Sequence, residues 1–118
     1  MTLMEASKRF QISIEKLIYY EKNGLIMYEQ LINGVSDYTE NELHKVGIIH
    51  SLLKAGMDLN VLKRYLQLLR SKIENKDEQI RILRKQRYKL LDEIHCKQQS
   101  LDELDYMIDE IKKENQEV

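Results

Sequence analysis

The sequence contains no proline and no tryptophan, one cysteine and only four glycines in 118 residues. Without proline nothing forces a break inside a helix. With charged residues at 33% and an abundance of Leu, Glu, Lys and Gln, the composition points to an all-α protein. The lone thiol, Cys96, excludes an internal disulfide and fits a reducing cytoplasm. No stretch approaches ~18 consecutive apolar residues, and the N-terminus shows neither a long apolar run nor a small-residue cleavage site, so neither a membrane span nor a secretory leader is expected. The chain also lacks a surplus of either charge. Lys and Arg number 9 against 8 Asp and Glu in residues 1–70, and 10 against 12 in 71–118, for a net charge of −1. That balance argues against tight, nonspecific nucleic-acid binding and leaves room for a locally basic surface. All four glycines and five of the seven tyrosines lie in residues 1–70, and no glycine follows. The two parts therefore differ in kind: a small compact head and one long helix.

Within the head, Thr2 and Glu5 spell a capping box, and Leu3, Ala6 and Phe10 recur at helical spacing over 3–10. Gln11-Ile12 makes a short turn, and Ser13 opens a second helix in which Ile14, Leu17, Ile18 and Glu21 share a side; Gly24 stands just past its end. Two short helices joined by such a turn form a helix-turn-helix unit, whose second helix enters the major groove. Asn33-Gly34, between the runs 25–28 and 35–38, signals a small β-hairpin, a wing in this setting. Thr39 and Glu42 spell another capping box, and a third helix is expected over 40–55, stopped by Gly56. Asp58 caps a fourth over 59–70, with Leu59, Leu62, Tyr65, Leu66 and Leu69 facing inward. The polar interval 71–76 reads as a linker.

From Ile80 a seven-residue repeat runs without interruption. Position a holds Ile80, Arg87, Ile94, Leu101 and Ile108; position d holds Leu83, Leu90, Lys97, Leu104 and Ile111. Eight of these ten are apolar, which favours a coiled coil over a solitary helix. A helix of about 37 residues is roughly 55 Å long, too long to pack its stripe on so small a head. Another copy of the chain is the economical partner. The expected organisation is a head over 1–70, a linker over 71–76 and a dimerisation helix over 77–118. Arg87 and Lys97 in the seam would help to select register and orientation.

The order of these parts resembles the MerR family of bacterial transcription regulators. The matching text is E-A-S-K-R at 5–9, I-S at 12–13, K-L-I-Y-Y-E at 16–21, G-L-I at 24–26, N-G-V-S-D-Y at 33–38 and L-L-K-A-G at 52–56, and the L-D-E-L-D-Y-M-I-D-E-I of 101–111 looks like the short-tailed members. The resemblance implies a winged helix-turn-helix head and an antiparallel coiled-coil homodimer. It implies a cytoplasmic regulator without catalytic activity that bends and untwists double-stranded promoter DNA so that RNA polymerase can use it. Carried over residue by residue, Tyr19, Tyr20 and Tyr38 fall on the family's phosphate-holding tyrosines and Lys16 on the exposed start of the recognition helix. The candidate DNA contacts are Ser13, Lys16, Tyr19, Tyr20 and Lys22 on the second helix, Gly34 and Tyr38 on the wing, and Lys54. The candidate dimerisation residues are Ile80, Leu83, Leu90, Ile94, Leu101, Leu104, Ile108 and Ile111.

The chain departs from the family's pattern at telling places. Ile18 stands where the family has an arginine, and Val35-Ser36 where it has Tyr-Arg, so two phosphate forks are missing. Glu29 puts a negative charge at the wing's opening. A second reading follows, in which the head keeps fold and dimer but binds a protein, another regulator or the polymerase. Tyr19-Tyr20 also has a plain reading, one core tyrosine beside one facing solvent, and Lys54 a plain reading as a cation at a helix C-terminus. His95-Cys96 is no metal pair, because adjacent helical residues point about 100° apart and no second cysteine exists; no metal or cofactor is expected. His44, His50 and His95 have no catalytic partners in the pattern, and no phosphate loop is present.

Overall fold

The computed structural model describes residues 1–116. The chain divides into two compact units, Met1–Ile82 and a second that begins at Leu83. Six helices and one antiparallel hairpin make up the described residues: α1 Leu3–Phe10, α2 Ile14–Lys22, β1 Glu29–Gln30, β2 Ser36–Asp37, α3 Glu40–Leu43, α4 Val46–Lys54, α5 Leu59–Arg70 and α6 Lys76–Gln116. The fold is all-α with a two-stranded wing, as the composition and spacing lead one to expect.

Local chemistry explains most of the boundaries. Thr2 and Glu5 form a complete capping box at α1: the Thr2 hydroxyl accepts from Glu5 N at 3.2 Å and the Glu5 carboxylate accepts from Thr2 N at 3.4 Å. Ser13 and Asp58 cap α2 and α5 through their side chains. The interval before α6 contains neither Gly nor Pro, yet the helix breaks there. Ser71 accepts from Ile73 N at 3.2 Å and Asn75 donates to Leu68 O at 2.9 Å, so side chains take backbone groups that a continuous helix would use.

Three expectations are corrected. The helix expected over 40–55 is two, α3 and α4, because a tighter turn intervenes in which Lys45 N donates to Glu42 O at 3.1 Å, three residues back. The second capping box is half formed: Thr39 accepts from Glu42 N, but the Glu42 carboxylate is drawn inward to Arg70, Lys45 and Met27 N instead of the cap. The hairpin is also shorter than the sequence suggests. Leu25 and Ile26 are buried in the core, so pairing starts only at Glu29, opposite Asp37, with Gln30 opposite Ser36.

The core of the first unit gathers Ala6, Leu17, Leu25, Leu43, Ile49, Leu62 and Leu66 from all five head helices and the segment after α2. It also takes in Ile82 from the first turns of α6, which the heptad pattern leaves outside the seam. Glu78 clips the same turns to α5 by accepting from Arg64 at 3.3 Å, and within α6 it accepts from Arg81 at 2.6 Å. In α6 the eight apolar seam residues named above are between 37% and 60% exposed. The expected helix ran to residue 118; its last two positions lie outside the described residues.

Candidate nucleic-acid interface

The turn between α1 and α2 is closed twice over Ser7: its hydroxyl donates to Ile12 O at 2.5 Å and its carbonyl accepts from Ile12 N at 3.1 Å. Gln11 takes the left-handed conformation, φ 54°, which is unusual for a residue with a side chain. This turn aims α2. Ser13, its cap, accepts from Lys16 N at 3.2 Å. Leu17 and Tyr20 face the core, so Lys16, Tyr19 and Lys22 are left exposed on the other sides of the helix. Lys22 sits in the last turn, where the dipole favours a cation. Beyond it Gly24 has φ 69°, and a Cβ there would meet Lys63 Cε at 3.7 Å, so the α5 lysine lies against the end of the helix. Nothing in the spacing of the sequence singles out Lys63.

The tyrosine pair divides its labour. Tyr19 is 48% exposed, whereas Tyr20 is 3% exposed with its ring edge-on to Tyr19 at 6.1 Å. Burial, and then the neighbouring Tyr19, raises the pKa of Tyr20. Tyr38 is 1% exposed, and its hydroxyl is buried without a hydrogen bond of ordinary geometry. Burial raises its pKa above the usual phenol value, and the adjacent Glu21 adds to the rise. Of the three tyrosines carried over by resemblance, only Tyr19 is laid out on the surface.

The wing is fixed to α2 by a hydrogen bond from Ser36 Oγ to Glu21 Oε1 at 2.7 Å. Its tip is a closed loop: Gly34 N donates to Leu31 O at 2.8 Å, Leu31 N to Val35 O at 2.9 Å and Val35 N to the Asn33 side chain at 3.2 Å. Gly34, at φ 79°, supplies the turn's left-handed residue. No Lys or Arg lies between Lys22 and Lys45, and the tip instead exposes Leu31, Ile32 and Val35, with Ile32 fully in solvent.

Beneath wing and helix sits a polar anchor. Arg70, the last residue of α5, donates through Nη2 to Glu42 Oε1 at 2.7 Å and to Leu25 O at 3.1 Å, and through Nε to Glu42 Oε2 at 3.1 Å. Lys45 Nζ reaches Glu42 Oε2 at 2.9 Å, and Met27 N donates to Glu42 Oε1 at 2.9 Å. Burial alone would raise the Glu42 pKa. The hydrogen bonds from Arg70, Lys45 and Met27 outweigh it and hold the carboxyl at about 2. The anchor ties α3, α5 and the entry to the wing at one point. Sequence spacing gives no sign of it, since its partners lie far apart in the chain.

Ser13, Lys16 and Tyr20 come together along a cleft of about 580 Å³ between the α1–α2 turn and α3–α4, where His44, Gly47 and His50 form the opposite side. Lys54, exposed at the end of α4, and Gly34 in the wing are not part of it. The described residues contain no group of three or more His, Cys, Asp or Glu able to hold a metal ion, and no helix among them is long and apolar enough to cross a membrane.

The sequence profile of the MerR helix-turn-helix regulatory proteins matches residues 1–69, more than half of the chain and nearly all of the unit just described. The chain belongs to the MerR family. Among its relatives, the HTH-type transcriptional regulator AdhR of Bacillus subtilis is 26% identical over 93 residues, which cover 78% of this chain and 66% of AdhR, so the chain spans just under two thirds of that relative's length. A MerR family regulator from Listeria monocytogenes is 30% identical and superimposes with a TM-score of 0.71 over 92% of this chain and 83% of its own. HiNmlR, described as a MerR family regulator lacking the sensor domain and solved bound to promoter DNA, shares the fold: 23% identity, TM-score 0.66, 91% of this chain and 86% of that one.

Proposed function

We propose that the chain is a transcription regulator that binds double-stranded promoter DNA as a homodimer and alters its shape, with RNA polymerase as the further partner in the cytoplasm. The observation that carries this reading is α2 itself, a capped helix that turns Lys16, Tyr19 and Lys22 outward from a head of the MerR family. That a regulator of the same fold without a sensor domain binds promoter DNA supports it. In this reading Lys16, Lys22 and Lys54 meet phosphates, Ser13 and the first amides of α2 add a helix-terminus contact, and the Tyr19 hydroxyl donates to a phosphate. Tyr20 and Tyr38, buried, hold the helix and wing in place. In this reading the head to residue 70 serves DNA, 71–76 links, and the exposed stripe from Ile80 to Ile111 meets a second copy. Binding of promoter fragments by anisotropy across a salt series tests the proposal. Lys16→Ala, Lys22→Ala and Lys54→Ala should each lower the slope of log K against log salt by about one unit. Absence of binding at low salt refutes it.

One observation favours a second reading, in which the head grips a protein. The wing carries no cation and ends in an exposed Leu31-Ile32-Val35 tip, a surface suited to an apolar pocket and poorly suited to phosphates. Binding of a regulator or of the polymerase in the absence of DNA, lost in Ile32→Asp, distinguishes this reading.

A further inference from the structure

The cleft between the α1–α2 turn and α3–α4 has room for more than the side chains on its walls. Its volume of about 580 Å³ falls in the range of small-molecule sites, ~300–1,000 Å³. One part of the lining is apolar: Phe10, Ile12, Leu43 and Val46, with the Phe10 ring edge-on to His44 at 5.5 Å. Ser13, Lys16, His44 and His50 supply the polar part. Among the described residues no Asp or Glu lines the cleft, although acids outnumber Lys and Arg by 20 to 19 in the chain, so an anion that enters meets no like charge on its walls. Glu40 and Glu42 lie within about a turn of His44 in sequence but are engaged elsewhere, Glu40 by Arg9 and Glu42 by Arg70 and Lys45. Lys16, His44 and His50 have no ion-pair partner among the described residues.

Two further observations point to a ligand. Tyr20 lines the cleft; the residue is 3% exposed, yet its hydroxyl has no hydrogen-bond partner among the described residues. That hydroxyl is a donor left for an entering acceptor. Gly47 stands on the opposite side, and a Cβ added there would meet nothing within 4 Å. The packing of the head leaves that space open.

We infer that the cleft is a binding site for a small aromatic carboxylate, with its ring against the wall of Phe10 and Val46 and with Lys16 and the Tyr20 hydroxyl as donors to its carboxylate. The charge of the walls selects an anion, and the Phe10–His44 pair offers a ring the edge and face contacts that an aliphatic chain cannot use. A consequence for regulation follows, and it alone rests on the promoter-DNA reading above. Ser13 and Lys16 cannot hold a phosphate and a carboxylate at once, so ligand and DNA compete for the start of α2.

The test titrates the isotope-labelled full chain with naphthoate and, as an uncharged control of the same shape, naphthamide, followed by NMR. Naphthoate is expected to shift the amide signals of residues 10–13 and 44–50 with a Kd of about 1 mM or tighter, and naphthamide to bind at least roughly tenfold more weakly. No shifts up to about 5 mM, or equal affinity for the two compounds, overturns the site. Gly47→Leu fills the open space with a better helix former, so binding should be lost while urea unfolding shows stability kept or raised. Binding that survives in this variant overturns the placement. Lys16→Gln keeps the length of the side chain and should weaken naphthoate roughly tenfold while leaving naphthamide unchanged; an equal loss for both, or none, overturns the role of Lys16. By anisotropy at low, matched ionic strength, naphthoate should displace a promoter fragment and naphthamide should not. Naphthoate that binds without lowering DNA affinity overturns the competition, whereas a chain that binds no DNA even without ligand refutes the promoter-DNA reading and leaves the titration to decide the site.

Discussion

Replacing Glu42 by Gln isolates the anchor beneath the wing. Glu42 is held at about 2 against an ordinary 4.5, and its side chain is 11% exposed, so solvent screens it little. The depressed pKa means that the folded state favours the ionised carboxylate. The stabilisation is fully present above pH 4.5 and is lost as pH falls through 2. A difference of this size corresponds to about 3 kcal/mol at pH 7, about 1.4 kcal/mol at pH 3 and under about 0.5 kcal/mol at pH 2. Glu42→Gln removes the charge that Arg70 and Lys45 face while nearly preserving shape. Urea unfolding followed by circular dichroism, at one protomer concentration, should therefore show a gap between wild type and variant of about 3 kcal/mol at neutral pH that narrows by about half at pH 3. A gap below about 1 kcal/mol at pH 7, or one that stays constant between pH 7 and 3, refutes the reasoning. Arg70→Met leaves the buried carboxylate with Lys45 as its one charged partner beside Met27 N and should cost at least as much as Glu42→Gln.

Other perturbations read different parts of the chain. Gln11→Gly relieves a left-handed residue in the α1–α2 turn and should raise stability by about 0.5–1 kcal/mol in the same urea assay; a loss would show that the Gln11 side chain contributes more than its backbone strain costs. Ile82→Ala opens a cavity in the head core and should cost about 2–4 kcal/mol at every protein concentration. Ile94→Ala, on the exposed stripe, should instead act through dimer dissociation measured by sedimentation. Ile32→Arg adds a cation to the wing tip. If the tip faces DNA, anisotropy should show tighter binding at low salt and a slope steeper by about one unit; an unchanged slope places the tip away from phosphates.

Four helix starts were legible because their causes are local. Thr2, Ser13, Thr39 and Asp58 each bond a backbone amide two or three residues on, and the spelling of the sequence displays that spacing. The stripe of α6 was legible for the same reason, as a repeat of seven. What could not be read depends on partners far away in the chain. Glu42 looks like half of a capping box, yet Arg70 draws it inward. Leu25 and Ile26 look like strand residues, but the core takes them. Ile82 falls outside the heptad seam because that pattern assumes one environment for the whole helix, whereas the first turns of α6 pack within the head. At the candidate interface the motif located α2 and the wing, but which tyrosine hydroxyls reach the surface is decided by packing. Tyr19 does, while Tyr38 is sealed beside Glu21.

The hydrogen bond between Ser36 and Glu21 makes wing and reading helix one lever. A hydrogen-bonded loop holds Ile32 at the free end, and the other end is the Glu21 side chain, next to Tyr20 in α2. Ser36→Ala would leave the wing without this side-chain bond to α2. Ser36 is thus the point at which the wing that carries Ile32 joins the helix that exposes Lys16 and Tyr19.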